Sequence, residues 1–295
     1  MITIFTPVYN RKDTINKLYT SLKNQTNKNF EWLVVDDGST ENVNQLFDNW
    51  KLENNDFDII YIYQKNGGKH RAINKGLDYA RGEMFFIVDN DDWLTNDAVE
   101  KIIYFDSTIK EKNTYAGVSG LKAFNDKKIV GSTFEGEFID ATSLQRDEYN
   151  INGDKSEVFY TDILKQYKFP EYEGENFITE SVVYNRIAND GYKIRWFNEI
   201  IYYCEYRDDG LTIQGRKLFK NNPKGYATSA REIIIFKKLK FKDKYNFAYY
   251  YYLDLKDVFS IKEIANQINV SAMFLRITVL KFKTKQIIYD FIYKK

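Results

Sequence analysis

Cysteine and histidine are nearly missing from this chain: Cys204 and His70 are the single residues of their kinds among 295. One cysteine excludes an internal disulfide framework and fits a reducing compartment. One of each also excludes a zinc site of the histidine/cysteine type. Any metal must then be held by carboxylates, which suits hard cations such as Mg2+ or Mn2+. No apolar run approaches the length that spans a bilayer. The first residues, MITIFTPVYN, have neither a basic leader region nor a long apolar stretch. The expectation is a cytoplasmic protein.

What is present suits a soluble globular chain. Hydrophobic residues make up 43%, enough for a sizeable core, and charged residues 29%. The net charge of +1 hides an asymmetry. The stretch from Arg216 to Lys295 holds 18 of the 43 basic residues and only 6 of the 42 acidic ones. An acidic first part suits cations and a basic last part suits anions: nucleic acid, a phospholipid surface or a phosphate-bearing substrate.

The first hundred residues alternate short apolar runs with helical patterns, the signature of a parallel sheet with crossover helices. Strands are predicted at Ile2–Thr6, Glu31–Val35, Ile59–Tyr63 and Met84–Val88. Helices are predicted at Lys12–Asn24, Asn42–Leu52 and Lys69–Ala80, and another starts near Asn96. Further strand-like runs are Gly117–Phe124, Lys128–Thr133 and Ile194–Tyr203, with a helix around Ser181–Ala188. From about Arg216 the pattern is helical and rich in Lys and Tyr. The expected division is residues 1–215 and a basic helical region 216–295. Ligands of open α/β sheets bind beyond the carboxyl ends of the strands. Tyr9, Asp36-Asp37, Gly67-Gly68 and Asp89–Asp92 all lie just after predicted strand ends.

The turn Asp89-Asn90-Asp91-Asp92 places carboxylates two residues apart, where they can converge on one hard cation that bridges a nucleotide diphosphate. A solvated acidic turn explains the same residues. Gly67 and Gly68 allow close backbone approach to a ligand, and Lys69 and Arg71 place donors at a helix N-terminus, a natural anion site.

Taken together, Thr6-Pro7-Val8-Tyr9-Asn10, Val35-Asp36-Asp37-Gly38-Ser39, Asn66-Gly67-Gly68-Lys69, Gly82-Glu83 and the aspartate turn form an ordered set. That set resembles the family 2 inverting glycosyltransferases of bacteria, over roughly residues 1–210. The resemblance implies the GT-A fold, an α/β architecture that is Rossmann-like, with a mostly parallel sheet flanked by helices, here with a helical C-terminal extension. It implies a metal-dependent transfer of a sugar from a nucleotide-sugar donor, a UDP-sugar by preference. The acceptor would be a glycan or lipid-linked glycan of surface polysaccharide synthesis. Tyr9 would stack on uracil, with Thr6 lining the same pocket. Asp37 would accept from the uracil N3–H, assisted by Asp36. Gly68, Lys69 and Arg71 would lie near the nucleotide. Asp89 would contact the ribose or sugar, and Asp91 would bind Mn2+ or Mg2+, with Asp92 a second candidate ligand. A carboxylate base is expected at the helix start after Phe169-Pro170-Glu171. Glu180 is the choice and Glu175 the alternative, although this chain has Glu180-Ser181 where relatives often have Glu-Asp. Arg207, on a polar segment before Gly210, is a candidate diphosphate contact.

Other readings remain open. The chain can bind a nucleotide sugar without turnover. Ser260–Ser271 resembles the first half of a helix-turn-helix DNA reader, although the following Ala272–Leu280 run is mostly apolar. Lys281, Lys283, Lys285, Lys294 and Lys295 alternate with Phe282, Ile287, Ile288 and Tyr289, a composition that suits peripheral contact with an anionic membrane face.

Overall fold

The structure, a computed structural model, describes residues 1–53, 55–205 and 211–293, for residues 211–214, 286–288 and 290–293 the backbone alone. It divides into two compact units. One joins Met1–Phe169 with Arg186–Arg207, and the other joins Pro170–Asn185 with Asp208–Lys295. The segment 170–185, which carries Glu175 and Glu180, thus groups with the C-terminal helices.

The first unit opens with β1 (Ile2–Val8), α1 (Ile15–Lys23), β2 (Phe30–Asp36), α2 (Asn44–Leu52), β3 (Asp58–Tyr63), α3 (Lys69–Tyr79) and β4 (Met84–Ile87). β1 and β2 are buried at every residue, as expected of apolar strands covered on both faces, whereas β3 is the half-exposed edge. The four strands are parallel in the order β3-β2-β1-β4. An aromatic group fills the space between sheet and helices: Tyr19 stacks on Trp50 at 4.3 Å, and Trp32 lies 5.2 Å from Phe47.

Then come β5 (Trp93–Leu94), α4 (Ala98–Ser107), β6 (Tyr115–Phe124), β7 (Phe138–Ala141), β8 (Lys155–Tyr160) and α5 (Thr161–Gln166). α6 (Ser181–Asn189) and β9 (Lys193–Cys204) follow. The sheet continues β4-β8-β6-β9-β5, with β7 also on β9. β8 is antiparallel to both β4 and β6, so the sheet is parallel at its first end and mixed beyond. The run Lys128–Thr133 is not a strand: it makes one isolated bridge, Ala123 to Ile129. β8 replaces it. Its sequence, KSEVFY, hides it, because a buried strand should not begin on a lysine. Lys155 is buried by donating its ammonium to the carbonyls of Val130 and Asn152.

The second unit contains α7 (Leu211–Asn221), α8 (Pro223–Phe236), α9 (Phe241–Leu255), α10 (Ile261–Gln267) and α11 (Ala272–Tyr293). Tyr251, Leu255, Ile264, Leu275 and Val279 form its core. α10 starts with a capping box: the Ser260 amide donates to Glu263 at 2.8 Å and the Glu263 amide to Ser260 Oγ at 3.4 Å. The stretch that resembles a DNA reader therefore spends its inward faces on this core. Among the described residues, no helix is long and apolar enough to cross a membrane.

The packing of α3 on the sheet yields a test. A Cβ on Gly76 would come within 2.3 Å of the fully buried Phe5 ring. Gly76→Ala should therefore cost about 1–3 kcal/mol, read as a lower urea midpoint at unchanged slope. An unchanged midpoint would mean that the α3–β1 contact is looser than described.

Candidate active site

Backbone hydrogen bonds gather the motifs at one edge of the sheet. The Asp37 amide donates to the Val8 carbonyl and the Val88 amide to the Phe5 carbonyl, each at 2.8 Å. The Asn90 side-chain amide donates to the Pro7 carbonyl at 3.1 Å. The loops after β1, β2 and β4 are thus tied to one another. Asn10 is left-handed at φ 50°. Its amide donates to Ser39 Oγ at 3.0 Å, and its Oδ1 accepts from the Thr40 amide at 2.8 Å. This clip holds Tyr9 with its side chain about half exposed, a platform for a planar ligand.

Asp37 organises the next loop. Its Oδ1 accepts from Gln64 Nε2 at 2.7 Å and the Gly67 amide at 2.9 Å. Its Oδ2 accepts from the Gly68 amide at 2.7 Å and Asn66 Nδ2 at 3.1 Å. Four donors fill the two oxygens. A nucleobase N–H can reach this carboxylate only by displacing a side-chain amide, Gln64 or Asn66, because the two backbone donors are fixed. Gly68 makes this geometry accessible: at φ 96° it occupies a region closed to ordinary side chains, and it caps α3. Asp36 has a supporting task. It accepts from the Ser39 amide at 2.7 Å and from Tyr61 Oη at 2.5 Å, and it is buried.

The aspartate turn is an electrostatic knot. Lys69, at the start of α3, meets Asp89 Oδ1 at 2.7 Å. Tyr202 of β9 accepts from the Asp89 amide at 3.0 Å and donates to Asp92 Oδ2 at 2.7 Å. Lys122 of β6 stands 4.2 Å from the centre of the Tyr202 ring. Burial drives Asp89 upward, but Lys69 and Lys122 outweigh it and hold the carboxyl below its usual range. Burial and the Asp89 charge raise Asp91, and the same two causes push Asp92 up to about 7. Burial works to lower Lys122, yet Asp89 and Asp92 keep it above its ordinary value. Lys122 was not among the residues singled out from sequence. Its signal was a single lysine in the apolar strand YAGVSGLKAF.

The predicted site residues therefore separate. Tyr9, Lys69, Asp89 and Asp91 share the sheet edge with partly open side chains. Thr6 does not line a pocket: it is fully buried, and its hydroxyl accepts from Trp32 Nε1 at 3.0 Å. Asp92 is turned inward onto Tyr202 and is 6% exposed, so it braces the turn. Arg71 donates to the Gly67 carbonyl at 2.5 Å, a bond within its own loop. In the second unit, Glu175 is buried and its two oxygens accept the amides of Lys224 and Gly225, each at 2.8 Å, at the start of α8. Glu180 is half-buried, immediately before α6. Arg207 lies outside the described residues.

Among the described residues, no three His, Cys, Asp or Glu side chains converge into a cage for a metal ion. The arrangement fits the other mode open to Mg2+ and Mn2+: one or two carboxylates complete a shell made mostly of phosphate and water oxygens. Asp91 is the partly open carboxylate that could serve in that mode. It is raised by burial and by Asp89, so a cation beside it would relieve the repulsion.

Comparison with known proteins bears on the family and the fold. Residues 3–135 match the family model described as Glycosyl transferase family 2. The glycosyltransferase GlyA of Streptococcus pneumoniae is 29% identical over 231 residues, which is 72% of this chain and 31% of that protein. The poly(ribitol-phosphate) beta-glucosyltransferase of Bacillus spizizenii is 29% identical over 136 residues, 45% of this chain and 21% of that one. The chain thus spans about a third or less of these curated relatives. S. aureus TarS in complex with UDP-GlcNAc superposes with a TM-score of 0.62 at 18% identity, over 95% of this chain and 88% of that one. At that identity the likeness is one of fold, the GT-A type.

The raised Asp92 carboxyl predicts how stability depends on pH. Below about pH 4 Asp92 is protonated both folded and unfolded, and has no effect. As pH rises towards 7 the unfolded chain ionises freely while the folded chain resists, so stability is lost. Asp92→Asn removes this penalty. At pH 8 it should raise the Tm by about 2 °C or more, with the gain vanishing near pH 4. A lower Tm at pH 8 would mean that the ionised carboxylate holds the turn.

Proposed function

We propose, from the premise that residues 3–135 are a glycosyl transferase family 2 domain, that the protein transfers a sugar from a UDP-sugar to a glycan acceptor with inversion. The observation that carries this is the joint placement, beyond β1, β3 and β4, of an open aromatic platform, a cationic helix start and a partly open Asp91. Poly(ribitol-phosphate) beta-glucosyltransferase, a relative that uses a polymer acceptor by its name, supports the acceptor class. TarS, which binds UDP-GlcNAc, supports the donor class.

In this reading uracil stacks on Tyr9, and its N3–H takes the place of a side-chain amide on Asp37. The diphosphate lies towards Lys69 at the α3 N-terminus, where backbone dipoles favour anions. Asp89 holds Lys69 in place and faces the ribose or sugar. Asp91 holds the divalent ion; bound there, Mn2+ or Mg2+ would neutralise charge on the leaving diphosphate. Glu180 takes the proton from the acceptor hydroxyl as that oxygen forms its bond to the anomeric carbon. The carbon–oxygen bond to the diphosphate breaks on the opposite face, which inverts the configuration. Glu180 is preferred to Glu175 because both Glu175 oxygens are already committed to backbone amides.

Three measurements test the reading. Isothermal calorimetry with Mn2+ present should show UDP binding more tightly than GDP. Tyr9→Ala should weaken UDP about tenfold or more, the scale of one lost stacking contact. Tighter GDP binding would remove the uridine assignment. Asp91→Ala should abolish the metal dependence of nucleotide binding without lowering the Tm, and undiminished transfer by that variant would remove Asp91 from the site. Glu180→Gln should lower transfer by about 100-fold or more at nearly unchanged UDP affinity. Glu175→Gln should instead cost about 1–2 kcal/mol of stability, because one amide loses its acceptor. A stable but inactive Glu175→Gln beside an active Glu180→Gln would exchange the two roles.

A further inference from the structure

α11 exposes an apolar stripe. Met273, Ile277 and Leu280 lie at helical spacing i, i+4 and i+7 on one face, and are 70%, 45% and 66% exposed. The opposite face is occupied: Leu275 and Val279 enter the unit's core, and Phe282 stacks on Tyr249 with centroids 3.8 Å apart. This corrects the sequence expectation for Phe282, which faces inward. Phe241, 70% exposed at the start of α9, sets its ring edge-on against Phe274 and so lies beside the head of the stripe.

Cations line both flanks of the stripe. On the helix, Arg276 and Lys283 fall to one side of it and Lys281 and Lys285 to the other, all exposed. Lys281 stands 5.3 Å from the Tyr245 ring centre, which places it on the α9 side. Lys237, Lys238, Lys240 and Lys242 lie within four residues of Phe241 in sequence and are exposed as well, with Asp243 the one acid in that stretch. No acidic residue occurs from Ala272 to Tyr289.

We infer that this face is a docking surface for an anionic lipid bilayer. Unlike a second copy of the chain or a nucleic acid, a bilayer offers hydrocarbon to the stripe and phosphate to its flanks together. A second copy of the chain would bring like charges against like along both flanks. A nucleic acid would satisfy the cations and leave Met273, Ile277 and Leu280 against a polar backbone. The helix lies along the interface, with the stripe at the boundary of headgroup and acyl chain. Neither signal is strong alone: three aliphatic side chains and Phe241 form a small apolar area, and the lysines act only within a Debye length. Together they are the two signals that stable peripheral binding requires. The inference does not rest on the glycosyltransferase reading.

The test is cosedimentation of the full chain with vesicles. Vesicles of phosphatidylglycerol and phosphatidylcholine should bind it at low salt, and phosphatidylcholine alone should not. Lys283→Gln with Lys285→Gln should weaken partitioning about thirtyfold, the loss of two cations near a charged surface. Ile277→Ser with Leu280→Ser should weaken it about tenfold at unchanged charge. Both sites are exposed, and circular dichroism checks that the helices persist. Absence of binding to phosphatidylglycerol vesicles at low salt overturns the inference. So does binding that ignores the two serines, which would be charge attraction alone. A concentration-dependent dimer that the serine variant dissolves would make a second copy the occupant instead. UDP affinity, measured in the same samples, keeps this outcome separate from the failure of the catalytic reading.

Discussion

The crowding of three aspartates into one turn after β4 is the constraint on which the site depends. Like charges this close in a partly buried turn cannot all ionise at ordinary cost. The fold answers with three groups from distant elements. Lys69 pairs with Asp89, Tyr202 bridges the Asp89 amide and the Asp92 carboxylate, and Lys122 approaches from β6. The result is three different aspartates. Asp89 is held below its usual range, Asp92 is raised and turned inward, and Asp91 remains raised and partly open. In the proposed reaction, a cation beside Asp91 would relieve that remaining imbalance.

The neighbouring loops are organised by the opposite principle, full satisfaction. Asp37 draws Gln64, Asn66, Gly67 and Gly68 onto one carboxylate. Asn74 pairs with both backbone groups of Phe169, at 2.9 and 2.8 Å, a buried pair of hydrogen bonds from α3 to the chain after α5. Such saturated polar centres rigidify a binding edge, because any displaced partner would leave a buried group unpaired. Tyr9 stays partly open beside them, held by the Asn10 clip. The donor end of the proposed reaction is thus stiff.

In the second unit a carboxylate also does structural work. Glu175 takes the place of a helix cap for α8, where amides at the start of the helix are otherwise without partners. Asn222 adds to this by accepting from the amides of Asn176 and Phe177. The segment with the candidate bases is thereby fixed to α8, so Glu180 sits on a braced chain. α11 combines two tasks on one helix, with its core face spent on Leu275 and Val279 and its outer face left apolar.

The amino-acid sequence by itself determined the α/β class, the first four parallel strands, the helical character after Arg216 and the edge at which Tyr9, Asp37, Lys69 and Asp89–Asp92 gather. These rest on local periodicity and on turn residues next to strand ends, which neighbouring residues dictate. Only the tertiary structure decided what each carboxylate is for. Asp36 and Asp37, adjacent in sequence, go to Tyr61 and to the 64–68 loop; Glu175 and Glu180, five residues apart, become a helix cap and a half-buried side chain at a helix start. β8 and Lys122 were illegible for the same reason that Thr6 was misread as lining a pocket. A buried lysine is tolerated when carbonyls or carboxylates from elsewhere surround it, and a hydroxyl is consumed when a tryptophan from the next strand donates to it. Val130 lies 25 residues from Lys155 and Trp32 26 residues from Thr6, and no local pattern encodes that they arrive.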